Sequence, residues 1–310
     1  MSELTISELG FGSGSLRLLY GTAWKEERTA DLTEEALNKG FRGVDSANYP
    51  TAYDEPLIGE GIARALASGL KRKDLFIQSK YCPTWAHDPD KIPFDEHKDI
   101  HGQIVESVHQ TLDNLKVDCL DALILHIPFE KEEDNFIAWK TLESFVPTKA
   151  RLLGCSNFGA PLLEKLINTA NIKPVIVQNP FIRANAFDVD VRALCKKHGL
   201  VYQSFSALKN NDDILNSEVV AALAGKLKVE KALAVYLLVL SLGNLQILDG
   251  TTKAGRMEND LKVVDSVLND AQLVEDLKPF SEDFEKLLEK ISQEETKNSE
   301  GEEGESKAEP

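Results

Sequence analysis

Residues 40–80 read GFRGVDSANYPTAYDEPLIGEGIARALASGLKRKDLFIQSK. Two short apolar or β-branched runs, 43–46 and 75–79, have the length of strands. Between them residues 56–68 carry polar and apolar positions at helical period and stop at Gly69, a residue type suited to the position just past a helix. The stretch is therefore one strand, one helix and the next strand. The same alternation extends in both directions. Further strand-like runs lie at 16–20, 122–125, 152–155, 175–177, 201–204 and 245–248, eight in all. Apolar character on both faces of such runs fits parallel strands covered by helices. Helices are expected at 29–39 before Gly40, 99–115, 136–145, 161–169, 188–198 before Gly199, 230–242 before Gly243, 257–267 and 284–291. Eight buried strands alternating with Gly-bounded helices predict an α/β fold, the (β/α)8 TIM barrel. Residues 4–12 read as a short N-terminal strand or hairpin ahead of it.

No linker interrupts residues 1–292, so one barrel domain is expected there. Residues 293–310, QEETKNSEGEEGESKAEP, differ in kind. They hold seven Glu, two Lys and no large apolar side chain, and account for −5 of the chain's formal charge of −16. Such a segment buries too little surface to offset its ordering entropy, so it is expected to be a disordered acidic C-terminal tail.

Composition excludes several classes. The 310 residues are 42% hydrophobic and 28% charged, ordinary for a globular chain. An acidic chain offers no general footprint for nucleic acid or anionic lipid. The longest apolar run, 232–240, is too short to span a membrane. The first residues, MSELTISELG, contain Glu3 and Glu8 and lack the pattern of a secretory signal. Cys82, Cys119, Cys155 and Cys195 are widely spaced with no CxxC, which fits a reducing compartment. A cytoplasmic protein is expected, with no nucleic-acid or membrane partner, as a monomer or weak oligomer. Scattered histidines such as His87 and His97 suggest no metal site.

In this architecture chemistry belongs at the C-terminal ends of the strands. Asp45 ends the second strand, Lys80 the third and His126 the fourth. Each alone can be an ordinary rim residue. An acid, an ammonium and an imidazole on three consecutive strands form a constellation. A buried Asp45–Lys80 pair would be a poor stability device. It would hold Lys80 charged and make it a poor Schiff-base nucleophile. A charged Lys beside a phenol acts differently. Two charges about 4 Å apart at an effective dielectric near 20 interact by ~4 kcal/mol, about three pKa units, enough to bring the phenol down towards neutrality before desolvation opposes it. Tyr49 and Tyr53 follow the second strand.

The chain resembles the aldo-keto reductases from about residue 16 to 265. The resemblance rests on YGTAWK at 20–25, GFRGVDSANYPTAYDEPLIGEG at 40–61, FIQSKY at 76–81, LDALILHIP at 120–128, LLGCSNF at 152–158, VQNPF at 177–181 and QSFSAL at 203–208. It implies NADPH-dependent reduction of a small carbonyl substrate, aldehyde or ketone, to an alcohol, without a metal and without a GxGxxG motif. It also implies a catalytic tetrad of Asp45, Tyr53, Lys80 and His126. Tyr53 is chosen because it closely precedes Glu55 and Gly59. Tyr49 is the alternative. The longer gap between Asp45 and Tyr53 resembles a fungal-type subgroup.

By the same resemblance Ser156, Asn157 and Gln178 hold the nicotinamide carboxamide, and Phe205 stacks on its ring. Thr22 and Trp24 line the mouth, and Ser206 and Leu208 belong to the cofactor groove. Gly250 and Thr251 stand where better-known members carry a Lys-Ser pair for the adenosine 2′-phosphate, and the backbone N–H groups around Gly250, Thr251 and Thr252 can add to an anion site. Arg256 follows at the start of a helix. With Arg256 and backbone N–H groups as the anion site, NADPH is expected over NADH by roughly 1.5–3 kcal/mol. Trp24, Trp85 and Phe129 suggest an apolar substrate pocket. Ile127 stands where many members carry Trp. Two other readings remain: a dinucleotide-binding regulatory or scaffold subunit, and a barrel aldolase using Lys80.

Overall fold

Eight short strands pair in parallel, each with the next in sequence: β1 (Leu18–Gly21), β2 (Gly43–Asp45), β3 (Phe76–Tyr81), β4 (Leu120–Leu125), β5 (Ala150–Ser156), β6 (Ile176–Pro180), β7 (Val201–Phe205) and β8 (Leu245–Asp249). β8 pairs back onto β1, Leu18 opposite Ile247, and closes the barrel. These relationships come from a computed structural model, which describes residues 16–306, with side chains through residue 294. The expected hairpin at 4–12 lies outside the described residues.

Helices α1 (Thr29–Asn38), α2 (Glu55–Ala67), α3 (Ile100–Leu115), α4 (Glu132–Glu143), α5 (Ala160–Thr169) and α6 (Val189–His198) connect the strands up to β7. Then come α7 (Asp212–Leu215), α8 (Glu218–Leu227) and α9 (Lys231–Ser241) before β8, and α10 (Ala254–Leu268) and α11 (Ala271–Ser306) after it. The sequence reading missed α8. Its start signal was present: the Ser217 hydroxyl accepts from Val220 N, an N-cap.

The helix α11 carries backbone helix into the acidic segment expected to be without structure. Glu and Lys are good helix formers, and propagation from an anchored stretch avoids the cost of nucleation. The anchor is apolar: Leu277, Phe284, Leu288 and Ile291 are buried.

Local chemistry fixes the helix ends around the site. Asp54 caps α2, its carboxylate accepting from Leu57 N, and Pro56 occupies the first turn. The α2–α3 contact needs glycine: a Cβ on Gly59 would lie 2.0 Å from Asn114 O.

Strand alternation divides the buried residues in two. One set, including Leu18, Tyr20, Val44, Ile77 and Leu123, packs outward against the helices. The other, with Leu19, Phe76, Ala122, Ile124, Leu152 and Ile176, forms an apolar plug inside the barrel. Phe76, Gln78 and Lys80 share one face of β3, so the lumen turns from apolar to amide to charged along the strand direction.

Candidate active site

An amide lattice lies above the plug. Gln203 Nε2 donates to Gln78 Oε1 and Gln246 Oε1, both at 2.9 Å, and Gln203 Oε1 accepts from Gln78 and Gln178 at 2.8 and 2.9 Å. Gln78 and Gln178 also donate to Asp45 Oδ1, at 2.6 and 3.0 Å. The lattice fixes the Asp45 carboxylate from below. Sequence reasoning missed Gln78, Gln203 and Gln246. The available signal was an amide two residues before Lys80 on the same strand face.

Lys80 is held from three sides. Its Nζ is 2.7 Å from Asp45 Oδ1 and 2.8 Å from Oδ2, and it donates to Ser46 O at 2.8 Å and Tyr53 Oη at 3.3 Å. An ammonium has three donors, and all find acceptors here, which leaves no free lone pair for imine chemistry. Burial pulls the Lys80 pKa down, while the Asp45 charge and hydrogen bonds oppose that.

Tyr53 Oη also lies 3.4 Å from Asp45 Oδ2. Its phenol pKa is raised well above the usual range, first by burial and then by Asp45. This corrects the expectation that Lys80 brings the phenol down towards neutrality. Desolvation and the second charge outweigh the ammonium, so Tyr53 keeps its proton.

His126 lies beside both tyrosines, its ring 5.7 Å from Tyr49 and 6.2 Å from Tyr53 by centroid. Burial, then Lys80, then His87 lower its pKa well below the ordinary value, so the imidazole is neutral. Its Nδ1 is buried without a partner among the described residues. Asn157, in the left-handed region at φ 61°, turns its amide back to donate to His126 O at 2.9 Å and to Ser156 Oγ at 3.1 Å. Asn157 therefore braces the end of β4.

A cavity of about 620 Å³ opens over this group. Tyr49, Tyr53, His126 and Gln178 line one end, and Asp249, Arg256 and Asp260 the other. Phe205, Ser206, Leu208, Gly250, Thr251 and Trp24 line it as well. Other expected residues stand elsewhere. Thr22 is fully buried and donates to Asp45 O at 2.6 Å, so it supports the acid and does not reach the mouth. Ser156 is also fully buried. Thr252 is outside the cavity lining. So are Trp85, half exposed on its loop, and Phe129, stacked on Tyr81 at 6.4 Å. Aromatic residues near a strand end suggested a pocket, but these two serve a surface turn and the core. Arg256 Nη2 sits 3.7 Å from Glu230 Oε2. Among the described residues, no three His, Cys, Asp or Glu cluster so as to hold a metal ion. Nor is any described helix long and apolar enough to cross a membrane.

The aldo/keto reductase family model matches residues 8–211, which take in β1 through β7. The chain belongs to the aldo/keto reductase family. An uncharacterized oxidoreductase of Schizosaccharomyces pombe is 31% identical over 236 residues, 68% of this chain and 66% of that protein. An NADPH-dependent D-xylose reductase of Meyerozyma guilliermondii is 32% identical over 183 residues, 50% of this chain and 53% of that protein. The alignment thus spans about half to two thirds of these relatives' length. A Bombyx mori aldo-keto reductase solved in complex with NADP shares the fold, with TM-score 0.67, 21% identity and coverage of 85% of this chain and 88% of that one. In this aldo/keto reductase the family match ends before β8. The segment of β8 and α10 at the far end of the cavity lies beyond it.

Proposed function

We propose that the chain is an NADPH-dependent reductase of aldehydes or ketones, with Tyr53 as general acid. One observation carries the reading: the Tyr53 hydroxyl lies 3.3 Å from the Lys80 ammonium and 3.4 Å from the Asp45 carboxylate, where Tyr53 and Asp45 line a cavity of about 620 Å³.

The cavity suits a nicotinamide. Phe205 offers a ring face. Both donations from the Gln178 amide run to Asp45 and Gln203. Its carbonyl oxygen accepts no bond among the described residues and is available for a carboxamide N–H. Arg256 and the start of α10 offer positive charge and backbone N–H groups to a phosphate. NADPH is the proposed cofactor, in keeping with the yeast D-xylose reductase and the NADP-bound silkworm structure.

When bound, the reduced nicotinamide supplies the hydride. The chain's own groups do the rest. His126, neutral, offers a hydrogen bond to the substrate carbonyl oxygen. Tyr53 Oη gives its proton to that oxygen as negative charge develops on it. Lys80 Nζ, already donating to Tyr53 Oη, stabilises the phenolate as it forms. Asp45, fixed by Gln78 and Gln178, keeps Lys80 oriented and charged. This assistance is strongest in the transition state, where it accelerates the reaction.

The experiment is steady-state oxidation of NADPH by the purified chain with a panel of aliphatic and aromatic aldehydes and ketones. Substrate-dependent turnover of at least one carbonyl is expected. NADPH binding with no turnover across the panel would favour a regulatory subunit. Borohydride trapping of a carbonyl substrate on Lys80 would favour an aldolase.

A further inference from the structure

Residues 82–98 follow β3 and hold none of the groups assigned to the chemistry, yet their side chains reach it. The segment turns through Thr84–Ala86, where His87 N donates to Thr84 O at 3.1 Å and His87 Nε2 lies 3.1 Å from Cys82 O. The turn lays the buried His87 ring against Tyr49, with 5.3 Å between centroids and a tilt of 55°. Behind it Phe94 meets the imidazole edge-on at 5.5 Å and packs on Tyr81 at 5.7 Å. On its other side Tyr49 meets His126 edge-on at 5.7 Å, and His126 meets Tyr53 edge-on at 6.2 Å. A continuous row of rings therefore runs from the 82–98 segment to Tyr53.

His126 depends on that row. Its backbone is tied at both ends: its N donates to Tyr81 O at 2.9 Å and its O accepts from Asn157 Nδ2. Its imidazole makes no hydrogen bond among the described residues. A histidine that must aim one ring N–H is commonly held by a hydrogen bond at the other ring nitrogen. Here ring packing takes that place, in the edge-on arrangement aromatic pairs prefer. Tyr49 is itself fixed through its backbone, since its carbonyl accepts from Ala52 N and Tyr53 N, both at 3.0 Å. One residue thus anchors the turn that carries Tyr53 and supplies the edge that His126 rests on. The Tyr49 hydroxyl has no partner among the described residues, so the ring makes the contact.

We propose that Tyr49, backed by His87, is a positioning residue, whose ring sets the plane of the His126 imidazole and so aims its N–H at the substrate carbonyl oxygen. The proposal rests on the reductase reading above, in which His126 bonds that oxygen.

The test is a double-variant cycle on the full chain. It is read as the single-turnover rate of NADPH fluorescence loss with one accepted aldehyde, so that slow variants remain measurable. NADPH dissociation constants and thermal midpoints are measured alongside. Tyr49→Leu removes the ring and is expected to slow the reaction about 10- to 100-fold, the scale of a misplaced catalytic group. Tyr49→Phe keeps the ring and is expected to restore the rate to within about threefold of wild type. In a His126→Ala background Tyr49→Leu is expected to cost less than about twofold, because no imidazole remains to be aimed. A residue that only fills space would cost the same factor in both backgrounds. His87→Leu, one ring further out, is expected to slow the wild-type background about threefold and the His126→Ala background not at all. It carries the cycle if Tyr49→Leu does not fold. Equal losses in the two backgrounds, or a wild-type rate in Tyr49→Leu, overturn the proposal alone. A wild-type rate in His126→Ala overturns the role of His126 and this proposal with it. Absence of NADPH-dependent turnover in the wild type overturns the reductase reading and both.

Discussion

Lys80 Nζ lies 3.3 Å from Tyr53 Oη while gripping both oxygens of Asp45, so one ammonium joins the acid to the phenol. The pair is buried, and its energetics depend on staying paired. Lys80→Met leaves Asp45 as an uncompensated buried charge, which costs about 3–5 kcal/mol of stability. Adding Asp45→Asn removes that charge. The double variant should therefore unfold at a higher urea concentration than Lys80→Met alone, although both lose turnover. Additive losses would mean that the two groups do not act as a pair.

Asp260 predicts a pH dependence. Burial, then Asp249, raises its pKa to about 7 from the model-compound value of 3.8. The folded state thus binds a proton more tightly than the unfolded chain does. Stability contributed by the protonated acid is present below the unfolded value and is lost as pH rises from about 4 through about 7. Asp260→Asn mimics the protonated form. It should raise the thermal midpoint at pH 8 more than at pH 5, measured at low and at moderate salt. Equal shifts at both pH values would argue that Asp260 titrates as an ordinary surface acid.

Two glycines should respond in opposite directions. Gly59→Ala drives a methyl into the α3 backbone at Asn114 and should destabilise the fold by about 1–3 kcal/mol in a urea titration, or more if α2 cannot shift. Gly225, in α8, is exposed and has nothing within 4 Å of an added Cβ. Gly225→Ala should be stabilising by about 0.5–1 kcal/mol from helix propensity. A neutral Gly59→Ala would contradict the close approach of α2 and α3.

Strand and helix alternation was legible because each barrel unit repeats the same burial problem, and Gly40, Gly69, Gly199 and Gly243 punctuate it. Asp45, Lys80 and His126 were legible because they end consecutive strands. The direction of the Tyr53 pKa was not. It depends on how completely the phenol is desolvated, and a sequence does not show that. Gln78, Gln178, Gln203 and Gln246 meet only when the barrel closes, since each comes from a different strand. Asp249 and Asp260 likewise become neighbours only when α10 folds back against β8. Trp85 and Phe129 were drawn into a pocket by residue type, and packing assigned them elsewhere.

The central claim is that Tyr53 supplies the proton. The most direct measurement compares NADPH oxidation by wild type, Tyr53→Phe and Tyr49→Phe with one accepted aldehyde, alongside NADPH dissociation constants. Tyr53→Phe should lower kcat by about 10²–10⁴-fold and leave cofactor affinity within about threefold, because the hydroxyl acts on charge that develops in the transition state. Tyr49→Phe should retain most of the turnover. Near-wild-type kcat in Tyr53→Phe, with the loss in Tyr49→Phe instead, would contradict the account.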